Sequence, residues 1–211
     1  MSLEATHIRF AVDQKDKYNI KDLGLYILGS IYPDSRYISK IDRKLTHNKH
    51  ALSDSFLTDD FKKGWQSHCI FDNEYSKMVK ELFPELFVNI SDADEWIIST
   101  AIKIVADIFD MRSFNIQSFL PYLDDTRNPN NEDIDKIHQY NQLIKNAYED
   151  NVSLTVDDYV VILKEFGIDP VISEKTIIKA GEFFNNKDIS AKIKNLYGFI
   201  SAEFDNTPCI P

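Results

Sequence analysis

Glycine and proline are scarce in this chain, at 6 and 7 of 211 residues. So few turn formers, set among long periodic segments, point to helices rather than sheet. Cysteine is scarcer still. Cys69 and Cys209 supply no disulfide framework, and Cys69, between His68 and Ile70, reads as a small buried hydrophobe. No apolar run approaches the roughly 20 residues of a membrane span, and the N-terminus has no apolar leader core. These absences lead us to expect a soluble, cytoplasmic protein without a membrane span. No Lys/Arg-rich block is present and the net charge is −10, which argues against a nucleic-acid module. No Gly/Ser-rich linker, low-complexity segment or internal repeat divides the chain. The reading is therefore a single all-α domain over residues 1–211 with a central buried helix, residues 5–72 carrying the site and 73–205 completing the helical array. Oligomeric state leaves no mark.

What is present is an amphipathic stretch, Thr58 to Asp72, around which the rest is organised. Phe61, Trp65, His68 and Asp72 fall at i, i+4, i+7 and i+11, on one helical face. Two core aromatics thus share a stripe with two polar side chains that are costly to bury without partners. His68 and Asp72 are either a self-satisfied core pair or half of a metal site. Gly64 costs about 1 kcal/mol in a helix interior relative to alanine, and a reason for it is room beside His68. Thr58 is the expected N-cap, with Asp59 and Asp60 in the first turn.

Taken in order, the pattern begins at Ala5, and Met1-Ser2-Leu3 reads as a leader by position. His7, Phe10, Ala11 and Gln14 share a face. A helix from about Lys21 runs to Gly29-Ser30, and Pro33 biases Tyr32 away from helix, leaving Asp34 on a turn aimed at a cleft. A short polar helix over 41–52 carries His47 and a solvent-facing His50. Tyr75 to Phe83 is a further piece that stops at Pro84. Ser91 to Asp94 resembles a capping box opening the most apolar helix, Glu95 to Met111. Asp107 and Asp110 near its end read as hydrated. Asp124 to Asp133 is a loop without calcium-loop spacing. Helices follow over 132–148, 156–166, 173–184 and 189–204, with Thr155 and Ser173 as caps and Gly167 as a stop.

Each of His7, Asp34, His47, His68 and Asp72 has an ordinary structural explanation alone. Together they form a set of imidazoles and carboxylates suited to zinc, manganese or iron. A set without thiolate suits a catalytic site with an open position, where a metal lowers the pKa of bound water to about 7. The series Thr6-His7, Gly29-Ser-Ile-Tyr-Pro33-Asp34, His47 and Gly64-Trp65-Gln-Ser-His68-Cys-Ile-Phe-Asp72 resembles the zinc-dependent phospholipase C and single-strand nuclease superfamily. The resemblance spans residues 5–72. It implies an all-helical fold, zinc ions and hydrolysis of a small-molecule or lipid phosphoester, while the residues themselves permit one or two ions, Zn2+ with Mn2+ or Fe2+ as substitutes. It further implies that His7, His47, His68 and Asp72 are metal ligands, with Asp72 able to bridge two ions. Asp34 becomes the catalytic carboxylate that orients or deprotonates the attacking water while touching metal. Fuller members of the family carry further His ligands and a Glu downstream; here only His138 follows, which argues against a trinuclear centre. Two other readings stand beside the hydrolase. One is a helical interaction or scaffold protein with a structural or vestigial metal site. The other, a histidine–aspartate phosphohydrolase, ranks lower because no His-Asp dipeptide occurs. Arg36 reads as a surface residue in preference to a phosphate ligand.

Overall fold

The 23-residue helix that carries His68 and Asp72 is the longest element. The structure, a computed structural model, describes residues 4–47, 53, 57–149 and 154–205. The helices are α1 (Glu4–Gln14), α2 (Leu23–Ile31), α3 (Arg36–Ser39), α4 (Arg43–Thr46), α5 (Asp60–Leu82), α6 (Asp92–Ser113), α7 (Ile134–Glu149), α8 (Tyr159–Glu165), α9 (Pro170–Asn185) and α10 (Lys187–Asp205), with short 3-10 turns between several of them. No strand occurs among the described residues, so the fold is all-α. His50, Cys209 and the end of the helix expected over 41–52 lie outside the described residues; the described part of that helix is the single turn of α4.

The two stretches expected at 58–72 and 75–83 are one continuous helix. No glycine or proline interrupts 65–82, and Pro84 stops it as expected. The N-cap is Asp59, which accepts from Lys62 N at 2.9 Å, and not Thr58. Asp60 is buried and accepts from the backbone N–H groups of Lys21 and Asp22 at 2.8 and 2.7 Å, tying the start of α5 to the start of α2. Asp169, with Pro170 at the first helical position, caps α9 in place of Ser173. Ser91 and Thr155 do cap where expected, and Gly167 ends α8's turn at φ +72°. Pro33 does not push Tyr32 out of helix: Tyr32 keeps φ −51° and ψ −42°, and the chain tightens into a 3-10 turn over Tyr32–Ser35.

The tightest contact is α2 against α5. Gly29 and Gly64 face the opposite backbone, where a Cβ on Gly29 would lie 1.9 Å from the Phe61 carbonyl oxygen and one on Gly64 2.0 Å from that of Tyr26. Gly64 is therefore needed for the close approach of two helices, not for room beside the imidazole. The apolar helix α6 packs against α1, α9 and α10, and α1 and α10 also pack against α5. Its side chains Ala101, Ile102, Ile104 and Val105 are all fully buried, so it is the central helix the pattern implied. One apolar cluster runs from Ala5 to Phe204.

Candidate metal centre

Three separate elements converge on α5. The helix α1 brings His7, the 3-10 turn after α2 brings Asp34, and the C-terminal cap of α4 brings His47. The periodicity of α5 puts His68 and Asp72 one turn apart beneath them. The five expected residues thus meet at one place. His68 Nε2 is 3.2 Å from His47 Nε2 and 3.8 Å from Asp72 Oδ2. His47 Nε2 is 3.6 Å from Asp72 Oδ2 and 3.8 Å from Asp34 Oδ1, and His7 Nε2 is 3.7 Å from Asp72 Oδ1. The His7 ring stacks on His68 at 3.8 Å between centroids. His7, Asp34 and His68 are fully buried, with side-chain exposure rising only to 6% at His47 and 14% at Asp72.

The self-satisfied pair does not form, because 3.8 Å between His68 and Asp72 is beyond hydrogen-bond reach. Each instead has another partner. His68 Nδ1 lies 2.8 Å from the Ser30 carbonyl oxygen, which can only accept, so Nδ1 carries the proton and the Nε2 lone pair points into the cluster. Asp72 Oδ1 accepts from the Lys103 ammonium at 2.9 Å. Among the described residues, His7 finds no hydrogen-bond partner at either ring nitrogen. Burial lowers the His7 pKa well below that of an ordinary histidine, and it drops His68 to about 4. Both imidazoles are neutral at pH 7 and available as ligands.

A tetrahedral ion with ligands at about 2.0–2.1 Å separates its donors by about 3.3 Å. The observed separations of 3.2 to 3.8 Å approach that edge without any rearrangement of the backbone. Two trios lie within 4.8 Å, His7–His68–Asp72 and Asp34–His47–His68. They share His68, and one imidazole lone pair bonds one ion. Asp72 has one oxygen toward His7 and the other toward His47 and His68, which makes it the residue able to bridge two. The donor set fits a borderline divalent cation.

The surroundings correct three further expectations. Asp107 and Asp110 are not hydrated. Asp107 accepts from Thr6 N and Oγ1, both at 3.1 Å, and from the hydroxyls of Tyr148 and Tyr159 at 2.8 and 2.7 Å. Asp110 accepts from Thr6 Oγ1 at 2.7 Å and from Arg9 at 2.6 Å. These bonds clamp the residue before His7 to α6, which fixes the height of the imidazole over His68. Arg36 is half-buried: it donates to the Tyr37 hydroxyl at 2.6 Å, and its Nε lies 3.9 Å from Asp34 Oδ1. Glu4, the first described residue, is helical and buried and accepts from Tyr140, so the pattern includes the residue before Ala5; Met1-Ser2-Leu3 lie outside the described residues. His138 is exposed and stands apart from the cluster. Sequence reasoning missed Lys103, although a lysine between Ile102 and Ile104 in the most apolar helix is a signal that its charge has a partner.

Burial lifts the Asp110 carboxyl to about 6; Thr6 and Arg9 draw it down, but desolvation with the adjacent Asp107 outweighs them. A folded-state value above the unfolded 3.9 means the native state holds the extra proton. That contribution, about 3 kcal/mol, is present below pH 4 and lost as pH rises through 6. The stability of Asp110→Asn relative to wild type should therefore improve between pH 4 and 7. Urea unfolding at several pH values measures this, and parallel profiles would sink it.

Comparison with family models, curated proteins and solved structures gives no match for this chain.

Proposed function

We propose that the chain is a metal-dependent hydrolase acting on a phosphate ester, with one or two zinc ions held by His7, Asp34, His47, His68 and Asp72. The observation that carries this reading is His7. An imidazole at 1% exposure with neither nitrogen hydrogen-bonded is costly, and a cation beside Nε2 would remove that cost. A bound divalent cation would supply a Lewis acid and lower the pKa of coordinated water to about 7. The protein's own part is to hold neutral imidazoles through the Ser30 carbonyl and deep burial, to bring two carboxylates against them, and to exclude bulk water. Asp34 would orient the attacking water and accept its proton. Lys103, 2.9 Å from Asp72 Oδ1, adds a positive charge for the phosphoryl oxygens.

The test is elemental analysis followed by a panel of phosphomonoesters, phosphodiesters and phospholipids. Turnover is expected with at least one of them, and Asp34→Asn should lower it by about 100-fold or more. A second reading, a helical interaction protein with a structural metal, is favoured by one observation: the donors are nearly closed to solvent, as structural sites are. Bound metal with no turnover across the panel would leave that reading standing and remove the hydrolase.

A further inference from the structure

A groove lies between α5 and α6, joined to the candidate centre through Lys103, which lines it and bonds Asp72. Two side-chain bridges define its ends. Lys103 and Asp72 meet at 2.9 Å beside the centre, and Lys80 and Glu95 meet at 2.7 Å at the far end. Rising numbers on α5 pair with falling numbers on α6, so the helices run antiparallel. Eight residues of helix separate the bridges, about 12 Å at 1.5 Å per residue. The half-open groove offers about 480 Å3, within the range of small-molecule sites.

The groove's lining mixes charged, polar and aromatic side chains. Arg43, an exposed residue of α4, lines it together with Lys103. Two cations there suit an anion, and arginine's planar fork suits phosphate. Of the three donors on Lys103, Asp72 takes one. Farther along, Ser76 and Ser99 line the groove with the half-exposed indole of Trp96. An acyl chain laid in it would run against the Lys80–Glu95 pair and strip water from it, which is unfavourable.

Resting on the metal-dependent reading above, we propose that this groove binds a water-soluble phosphate ester of a ring-bearing alcohol. The phosphoryl group lies between Arg43 and Lys103, next to the metal centre, and the ring lies against Trp96. The groove selects such esters over diacyl lipids.

The chain has only two tryptophans, and the other, Trp65, is buried with its Nε1 donating to the Thr46 carbonyl at 2.6 Å. Emission from Trp96 is thus read as the difference between wild type and Trp96→Phe. In zinc-loaded protein, phenyl phosphate should change that emission saturably and inorganic phosphate should compete. Short-chain phosphatidylcholine should leave it unchanged. Arg43→Gln should weaken phenyl phosphate about tenfold, while both variants keep the wild-type metal content. The groove is overturned if zinc-loaded protein turns over or binds phenyl phosphate with no Trp96 response, if Arg43→Gln binds as wild type does, or if the lipid gives the larger response. Failure to take up zinc, read separately by elemental analysis, overturns the metal reading beneath it.

Discussion

Protein carrying Gly64→Ala should be insoluble, or melt more than about 10 °C below wild type. The new methyl carbon would stand 2.0 Å from the Tyr26 carbonyl oxygen and 2.9 Å from Ser30 N. Both are backbone atoms of α2, so no rotamer change relieves the clash, and the helices must part by more than 1 Å to reach ordinary contact. The cost exceeds the about 1–3 kcal/mol of usual overpacking and approaches the whole stability of a domain. At about 2–4 °C per kcal/mol for a chain of this size, the melting temperature reports it directly. The damage also reaches the site, because α2 carries the Ser30 carbonyl that orients His68 and leads into Asp34. Gly181→Ala and Gly198→Ala are the controls. Among the described residues nothing lies within 4 Å of a methyl at either, and alanine is worth about 0.5–1 kcal/mol in a helix. Near-equal melting of all three variants would show that the α2–α5 approach is not what fixes the fold.

His68→Ala should remove the ion that His68 holds. His68 belongs to both donor trios, so its loss leaves two donors in each. Elemental analysis should fall by at least one ion per chain. A second readout does not depend on activity. Zinc at 100 times its dissociation constant adds about 2.7 kcal/mol to stability, a rise of about 5–10 °C in wild type that the variant should lack. Asp72→Asn should behave alike, since it keeps the shape but removes the charge that Lys103 and the cation share. His138→Ala, at an exposed position, should retain full metal. Full metal content in His68→Ala would remove the centre from these residues.

Much of the fold is legible because helix formation is local. The 3.6-residue repeat of apolar positions is written in adjacent residues, so His7, Phe10, Ala11 and Gln14 were readable as one buried face. Caps were less legible. Thr58 and Ser173 have the right chemistry for an N-cap, but Asp59 and Asp169 are the residues whose backbone takes the cap position. Asp107 and Asp110 looked solvated near a helix end. Their actual partners, Thr6, Arg9, Tyr148 and Tyr159, lie 41 to 104 residues away, and no local pattern encodes such pairings.

The candidate centre divides the same way. Residue chemistry and order in the sequence determined which side chains are suited to a cation, and the helical repeat determined that His68 and Asp72 share a face with Phe61 and Trp65. Tertiary structure alone decided whether that pair would satisfy itself. It does not: α2 offers His68 a carbonyl, α6 offers Asp72 an ammonium, and α1 stacks a histidine without hydrogen bonds on the other side. The role of Gly64 was decided there too, because a glycine's value depends on what approaches it, and what approaches is the backbone of a helix some 35 residues earlier in the chain.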